Sequence, residues 1–465
     1  MLNKSNILIL LKGGLIAQFL PIISYPIITR LFATEDFGLY STILSIITTF
    51  TVITILKLDQ AIPIANLEDK KRLIRVSLFS NTIITIFAFI IINLLIKNKF
   101  LETIDITSQL LLVIAIFLNG LINLFIGINV SKGKFKNNAS NQIIRAVILT
   151  FLQVLLGYIG FTSYGLLISF VIAQALSLVF LLIKNKDEVK DALNIKQIKN
   201  DLYLMKKSYL DFPFLLTPTQ LINTMGMTIP IVLITSTYGL VAAGLYGLVT
   251  RAFMTPLNTI SLSIAQPLFK EMSDFKDDVF ILNKTLKKAV IMLSLIAIVP
   301  LNLVSANMEY LFSIVFSSEW EKAGTFALFI IPWISINFIL SPISNLYTVL
   351  RKQHINLIMN IIITVARVSS ILICYKLKFS MTQAILAFGI ISFFLALAQI
   401  FILFSMVKLD KRILLMYVIL PLIISLTLSI IMSSLFSPII SLSLCCVLLM
   451  VYIIISLKSI KEVIK

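Results

Sequence analysis

Long apolar runs separated by short charged or turn-rich breaks fill the chain from end to end. A helix needs ~20 mainly apolar residues to cross the ~30 Å hydrocarbon core of a bilayer, and fourteen runs reach that length. We number them segments 1 to 14, and they cover residues 6–30, 37–57, 74–96, 109–130, 141–161, 164–183, 214–236, 240–266, 286–305, 324–350, 356–376, 381–407, 413–433 and 438–457. The pattern predicts an all-α integral membrane protein with fourteen transmembrane helices.

Three charge-free stretches are too long for a single crossing: residues 146–183, 212–250 and 413–457. Each contains a turn signal near its middle, with the sequences GYIGFTSYG, STYG and SSLFSP. Clusters of glycine, serine and proline of this kind mark turns. We therefore expect each stretch to form two helices joined by a tight turn.

The composition excludes a soluble protein. The 465 residues are 59% hydrophobic and 13% charged, whereas soluble domains carry about 25% charged residues. The three cysteines, Cys374, Cys445 and Cys446, all lie in apolar runs, and two of them are neighbours. No disulfide framework is therefore predicted.

The net charge of +18 is concentrated on one side of the predicted membrane. With the N-terminus inside, the inside loops hold 30 of the 39 Lys and Arg residues, and the outside loops hold 6. Cytoplasmic loops carry such an excess in membrane proteins. We therefore predict that both termini are cytoplasmic, that membrane lipids surround the chain, and that it has no nucleic-acid partner.

A weak internal repeat divides the chain into two halves. Residues 15–70 placed on 221–276 without gaps give 12 identities in 56 positions, including Gly38-Leu39-Tyr40 on Gly244-Leu245-Tyr246. Such repeats occur in transporters with a site between two lobes. We predict two pseudo-symmetric six-helix lobes around a central cavity plus two extra C-terminal helices. The predicted parts are an N-terminal lobe (1–183), a cytoplasmic linker (184–213), a C-terminal lobe (214–407) and an appendage (408–465).

Prolines lie at matching places in the two predicted lobes, with Pro21 and Pro26 in segment 1, Pro230 in segment 7 and Pro256 in segment 8. Proline removes a backbone donor and favours a kink. We predict that these positions act as hinges when the lobes rock. The alternative is passive packing, because membrane helices tolerate proline.

Four cationic side chains lie within or at the end of predicted helices. Arg251 and Arg367 are each eleven residues past the start of their segments, at a depth where an arginine costs ~2.5–3.5 kcal/mol. Lys12 lies about two turns into segment 1, and Arg30 closes that segment on the outer side. We predict that all four bind an anionic substrate. The alternatives are an internal ion pair for the first two and a snorkelling side chain for the others.

The distribution of acidic residues favours anion binding. No Asp or Glu lies in the interior of any of the fourteen segments, and Asp59, Asp211 and Glu309 lie at segment ends. The missing counter-charge is then the cargo itself. We hypothesise a phosphate-bearing head group that arginine side chains contact in a bidentate way.

Signatures of enzymatic or metal chemistry are absent from the sequence. His354 is the only histidine, and it lies in a short basic loop. There is no glycine-rich phosphate loop, HExxH motif or metal-binding cysteine spacing. We predict that the protein is not an enzyme and uses no cofactor and no metal.

Six short motifs follow one another along the chain. Residues 13–47 hold an apolar helix that ends in Thr29-Arg30-Leu31, followed by Phe37-Gly38-Leu39-Tyr40. The others are LDQAI (58–62), KGKFKNNA (132–139), YLDFP (209–213), AGLYGLVTRAFMTP (243–256) and FSSEWEKAGTFALFIIPW (316–333). In this joint order they resemble bacterial polysaccharide (O-antigen or capsule) repeat-unit flippases, over about residues 1–405.

The resemblance implies a member of the multidrug/oligosaccharidyl-lipid/polysaccharide exporter superfamily in the bacterial cytoplasmic (inner) membrane. Such proteins move an undecaprenyl-diphosphate-linked oligosaccharide from the inner to the outer leaflet, and we expect alternating access. Arg30 and Arg251 match arginines of the family motifs, whereas Arg367 matches none. A proton or a sodium ion is left open as the coupling ion, and so is association with polysaccharide polymerase or chain-length machinery.

Three other functions are compatible with a polytopic membrane protein of this kind. A peptidoglycan lipid-precursor flippase would differ only in the sugars that it carries. A drug or cation exporter of the same superfamily would be expected to bury carboxylates, which the segments lack. A membrane glycan polymerase would usually have a large outer loop, and the outside loops here are short.

Overall fold

The computed structural model describes residues 4–186, 188, 201 and 208–464, and it describes side chains from residue 17 to residue 454 within those ranges. Most of the predicted linker, 184–213, therefore lies outside the described residues. In the part that is described, the regular structure is helical. The long helices are α1 (Lys4–Leu31), α2 (Thr34–Thr54), α3 (Leu67–Lys97), α4 (Ile106–Ser131), α5 (Phe135–Tyr158), α6 (Ser163–Lys184), α7 (Thr217–Asp274), α8 (Val279–Val304), α9 (Glu321–Ile343), α10 (Gln353–Lys376), α11 (Met381–Met406), α12 (Leu420–Leu435) and α13 (Pro438–Ile464).

The prediction of fourteen membrane helices is confirmed. Eleven stretches of the described residues are long and apolar enough to cross a membrane, and one of them, Phe212–Asp274, is 63 residues long. It holds two crossings, because α7 leaves helical geometry at Gly239, where φ is 86° and ψ is 179°. Helices α1 and α13 complete the set.

Polar side chains just outside the apolar runs set where several helices begin. Asn66 accepts a hydrogen bond from the Asp69 backbone N–H at 2.8 Å and so starts α3. Asp105 starts α4 in the same way, and Asp278 starts α8. These side chains satisfy backbone donors that a helix start leaves without partners.

The expected turn in STYG is present, whereas the four prolines do not interrupt their helices. Gly239, in that turn, has a positive φ that residues with a side chain rarely adopt. By contrast, α1 continues through Pro21 and Pro26, and α7 continues as helix through Pro230 and Pro256. The hinge role of these four prolines stays a prediction.

The chain groups into two compact units, residues 1–244 and 245–465. The predicted lobes were divided at 184–213 instead, so the first crossing of α7 groups with the first unit. The repeated tyrosines take the same role in both units. Tyr40 packs edge-on against Phe170 at 6.4 Å in the first, and Tyr246 packs edge-on against Phe388 at 5.8 Å in the second.

A buried ion pair ties residue 201 to the first unit. The Nε and Nη2 atoms of Arg75 lie 2.6 and 3.0 Å from the two carboxylate oxygens of Asp201. Arg75 belongs to α3, which begins at Leu67, earlier than the predicted residue 74. The charged first turns of this helix therefore extend beyond the apolar run and hold part of the intervening chain.

The repeated glycines lie against each other inside the first unit. A Cβ atom on Gly38 would overlap the carbonyl oxygen of Leu240, and one on Gly244 would overlap the carbonyl oxygen of Thr34. Further along α2 from Gly38, two hydrogen bonds between hydroxyl groups join this helix to α7. They are Thr42–Thr235 at 2.5 Å and Thr49–Thr228 at 2.7 Å. Small residues allow this backbone approach, and hydroxyl pairs stabilise it in hydrocarbon.

We expect Gly38→Ala to lower the midpoint of thermal unfolding of the purified protein, because the new methyl group has no room. Overpacking of this kind costs about 1–3 kcal/mol. The matched control is Gly133→Asn, since Gly133 has open space around its Cα and a φ of 67° that asparagine tolerates. Equal midpoints for Gly38→Ala and the unmodified protein would contradict the close packing.

Candidate polar cavity of the first unit

A polar cavity of about 520 Å³ lies within the first unit. Residues of α1, α2, α4, α5 and α6 line it, together with Lys57, which follows α2. The described lining contains two cationic side chains, Lys57 and Arg145, and no acidic one. Five amide side chains belong to the same lining, namely Gln18, Asn119, Asn123, Gln142 and Gln174. Such a cavity can hold an anion that also forms hydrogen bonds.

Arg145 is a cavity residue that the sequence analysis did not select. It was counted with the cationic residues of the inside loops, although it also lies in the predicted segment 5, which covers residues 141–161. Helix α5 begins at Phe135, so Arg145 lies ten residues further on, about 15 Å along the helix at 1.5 Å per residue. Four residues separate it from the start of the predicted segment 5 at residue 141, so it lies about 6 Å into that segment.

The surroundings of Arg145 leave its charge available. The side chain is partly exposed, and it lines the cavity. No hydrogen bond or ion pair joins it to another residue in the described part of the chain. A guanidinium in a predicted membrane segment needs water or a ligand as a partner. The cavity is where Arg145 can meet one.

Lys57 is brought to the cavity by a turn of unusual geometry. Leu56 and Lys57 have φ angles of 52° and 55°, in the left-handed region. Residues with a side chain rarely adopt that region, and each costs roughly 1–2 kcal/mol there. The turn reverses the chain between α2 and the short helix Leu58–Ala61. It places a second positive charge at the same cavity as Arg145.

Asp59 lies beside this turn, outside the membrane-spanning helices. Its Oδ1 atom is buried and has no hydrogen-bond partner among the described residues. Burial raises the pKa of Asp59 above its usual value, and the nearby Lys57 ammonium only partly offsets this effect. The charged form of the carboxylate is therefore disfavoured by burial, close to the cavity residue Lys57.

Two of the four predicted substrate-binding residues belong to the first unit. Arg30 is exposed in the last turn of α1, and its Nη1 donates a hydrogen bond to the carbonyl oxygen of Pro26 at 2.6 Å. It is not among the residues that line the cavity. Lys12 lies in α1, but its side chain is outside the described part of the structure. Substrate binding by either residue stays a prediction.

The other two predicted residues, Arg251 and Arg367, belong to the second unit. Arg251 is partly buried in α7, whereas Arg367 is 5% exposed in α10. The Arg367 guanidinium carbon lies 4.4 Å from the centroid of the Trp333 ring and 5.8 Å from that of Phe388. Its Nε donates a hydrogen bond to the Ser392 hydroxyl at 3.0 Å.

This environment differs from the water-filled cavity and from the ion pair that were considered for Arg367. Cation–π contacts with desolvated rings contribute about 2 kcal/mol or more. Arg367 thus joins α9, α10 and α11 through aromatic rings and a neutral hydroxyl group. The geometry favours a packing role, and substrate binding by Arg367 stays a prediction.

The fold defines a multi-pass helical membrane protein. A family model described as "polysaccharide biosynthesis protein" matches residues 27–325 of the chain. The match covers more than half of the chain, so the chain belongs to this family. No curated protein sequence matches the chain.

Three solved structures share the fold. The first is the lipid II flippase MurJ in an inward closed conformation, which is 14% identical, with 98% of this chain and 100% of that chain covered and a TM-score of 0.72. The second is an inward-facing multidrug resistance MATE family transporter of the MOP superfamily, 13% identical, covering 86% and 93%, with a TM-score of 0.61. The third is a MOP superfamily transporter from Pyrococcus furiosus, 14% identical, covering 87% and 95%, with a TM-score of 0.56.

We expect Arg367→Ala to destabilise the protein far more than Arg145→Ala in thermal unfolding. Truncating a large buried side chain costs about 2–5 kcal/mol, whereas a side chain without a partner changes stability by roughly 0.5 kcal/mol or less. Arg367→Met keeps most of the volume and should recover part of the loss. Equal stability of the two alanine variants would contradict the packing role of Arg367.

We expect Asp59→Asn to raise the thermal stability at pH 7, because it removes a carboxylate that burial disfavours. When the pKa of an acid is higher in the folded than in the unfolded protein, the free energy of unfolding falls as the pH rises. The fall begins near the unfolded pKa of ~3.9 and ends near the higher folded pKa, and the lost stability is not regained at higher pH. The gain should therefore shrink as the pH approaches 4. Asp278→Asn, at an exposed helix start, is the comparison. A gain that grows on acidification would contradict this account.

Proposed function

We propose that the protein is a flippase that moves an undecaprenyl-diphosphate-linked oligosaccharide from the inner to the outer leaflet of the bacterial cytoplasmic membrane. The observation that carries the proposal is the cavity of the first unit, with Lys57 and Arg145 and no acidic residue in its described lining. A diphosphate supplies the negative charge that this lining lacks. The family membership agrees with a role in polysaccharide biosynthesis.

The physical task of such a protein is to shield a charged and hydrated head group from hydrocarbon. Unsatisfied polar groups cost several kcal/mol each in the bilayer core. The cavity offers cations and amides within a helical unit, and the lipid tail can stay in the bilayer. Alternating access, with loading from the cytoplasmic side and release outside, delivers the head group without exposing it to lipid tails. We place both termini in the cytoplasm for the same reason as before, the excess of Lys and Arg in inside loops.

The charge of the lining also separates this proposal from cation export. A cationic drug would meet two positive side chains in the first unit, and repulsion would oppose its binding. The four residues singled out in the sequence, Lys12, Arg30, Arg251 and Arg367, are secondary candidates for contacts with the anion. Arg145 takes first place because it lines a polar cavity and has an unengaged guanidinium.

A second candidate cargo is the peptidoglycan lipid precursor. It is favoured by one observation, the match of the fold to the lipid II flippase over 98% of this chain. Both cargoes carry a diphosphate, so the cations of the cavity suit either. Complementation separates them: we expect the gene to restore surface glycan in a strain that lacks its repeat-unit flippase, and not growth in a strain that lacks lipid II flippase activity.

We expect Arg145→Ala to reduce transport at least about tenfold in proteoliposomes loaded with undecaprenyl-diphosphate-linked oligosaccharide. A hydrogen bond to a charged group contributes about 1.5–3 kcal/mol, and 1.4 kcal/mol is a factor of ten. Arg145→Lys keeps the charge but loses the bidentate geometry, so its rate should be intermediate. The measurement is the fraction of glycan accessible in the opposite leaflet over time.

The matched control for this experiment is Arg72→Ala. Arg72 lies at the cytoplasmic start of α3 and pairs with Asp69 at 3.0 Å and Glu68 at 3.4 Å, away from the cavity. Its loss should leave the rate close to that of the unmodified protein. Full transport by a correctly folded Arg145→Ala protein would overturn the assignment of the cavity as the anion site.

A further inference from the structure

A second cavity, of about 460 Å³, lies in the second unit between the end of α7 and the first half of α8. Polar side chains line one end of it, namely Glu271, Thr285 and Lys288. The rest of the lining is apolar except for Ser263, whose hydroxyl donates to the Thr259 carbonyl at 2.9 Å. A cavity with one charged end and one apolar end suits an amphiphilic ligand.

The charged end holds one cation and one anion, and no ion pair joins them in the described part of the chain. The Thr285 hydroxyl donates to Oε1 of Glu271 at 2.9 Å, which holds this exposed carboxylate at the cavity and leaves its Oε2 available. Lys288 is partly exposed, and it forms no hydrogen bond with another described residue. Two opposite charges are therefore available to a ligand that carries both.

The cavity has the length of one leaflet of the bilayer. Thr285 lies just before the predicted segment 9, which starts at residue 286 on the cytoplasmic side. Leu295, at the apolar end, is ten residues further on, or about 15 Å at 1.5 Å per residue. That is half of a ~30 Å hydrocarbon core. The charged end is therefore expected at the cytoplasmic surface and the apolar end near the middle of the membrane.

The two charges also have an order along the membrane normal. The Cα of Lys288 is three residues past that of Thr285, about 4.5 Å further into the membrane, whereas the Glu271 carboxylate is held by Thr285 itself. In phosphatidylethanolamine the phosphate adjoins the acyl chains and the ammonium is outermost, so the phosphate falls to Lys288 and the ammonium to Glu271. A lipid with only negative charge, such as phosphatidylglycerol or undecaprenyl diphosphate, would be repelled by Glu271.

We propose that this cavity, the inner-leaflet groove, binds a membrane phospholipid whose head group carries both a phosphate and an ammonium, as in phosphatidylethanolamine. Lys288 pairs with the phosphate, Glu271 accepts a hydrogen bond from the ammonium, and an acyl chain lies against Ile264, Met292 and Leu295. The volume of about 460 Å³ is within the ~300–1,000 Å³ of small-ligand sites, enough for part of one lipid. This inference does not rest on the proposed function, because it concerns a different cavity and a lipid that is not the cargo.

The test titrates the purified full-length protein with one lipid at a time and measures binding of the first lipid molecule by native mass spectrometry. The probes are phosphatidylethanolamine and phosphatidylglycerol with the same acyl chains, and undecaprenyl diphosphate. We expect phosphatidylethanolamine to bind about two- to fivefold tighter than phosphatidylglycerol, the range of a partly exposed ion pair. Glu271→Gln should abolish this preference while it keeps an acceptor for Thr285. Lys288→Met should weaken binding of both phospholipids.

Two matched controls change nearby charges that do not line the groove. Asp274→Asn lies one turn after Glu271 in α7, and Lys287→Met is the neighbour of Lys288; both side chains are exposed. Neither variant should change the preference. Met292→Trp fills the apolar part of the groove and should remove the tightly bound phosphatidylethanolamine. Because Met292 is partly exposed, the thermal midpoint of this variant should stay close to that of the unmodified protein.

The outcomes decide between this lipid and other occupants. A preference that is lost with Glu271→Gln and kept in both controls supports the inner-leaflet groove. Equal affinity of the unmodified protein for the two phospholipids overturns it, since only general contact with bulk lipid is then left, and so does loss of the preference with Asp274→Asn. Undecaprenyl diphosphate that binds tightest of the three, and loses this binding with Lys288→Met, would assign the groove to the cargo and overturn the proposal as well.

Discussion

An arginine inside a bilayer has to replace its hydration, and the two units of this protein do so in different ways. Arg145 lies on the fifth helix of the chain and opens onto a polar cavity. Arg367 lies on α10, the fifth crossing of the second predicted half, and is covered by Trp333 and Phe388. The guanidinium of Arg145 is open to water or a ligand in the cavity, whereas that of Arg367 contacts side chains of the protein itself. Arg367 is therefore fixed by packing, whereas the guanidinium of Arg145 is open to the binding that we propose.

The number and spacing of the crossings could be predicted because ~20 apolar residues between polar breaks is a direct physical requirement for spanning a bilayer. The start of α5 at Phe135 could not be found in this way, because the polar residues FKNNAS before the predicted segment 5 read as a loop. Its asparagines are satisfied inside the protein, Asn138 by Asn129 and Asn141 by Ser177, both at 2.8 Å. Gln142 and Arg145 lie three residues apart on one helical face and both line the cavity, and this spacing was the signal that would have placed Arg145 there.

The sequence analysis predicted that cationic side chains inside helices would form the site, but it did not select Lys57 and Arg145, the two that line the cavity. Arg367 was recognised as deeply placed, but its aromatic neighbours come from segments 10 and 12, and no local pattern announces such a contact. Lys57 depends on a left-handed turn at two residues with side chains, which propensities do not favour. The amide and hydroxyl groups of the cavity look unremarkable one by one, and only their arrangement around a common volume gives them a role.

The reciprocal contact of Gly38 and Gly244 ties together two positions that are far apart in the chain. Each glycine faces a carbonyl oxygen supplied by the other's helix, so neither position can acquire a side chain while the other compensates by becoming smaller. The predicted internal repeat places these two glycines on each other, and the same geometric limit applies at both positions. A substitution at either one would have to separate the two backbones.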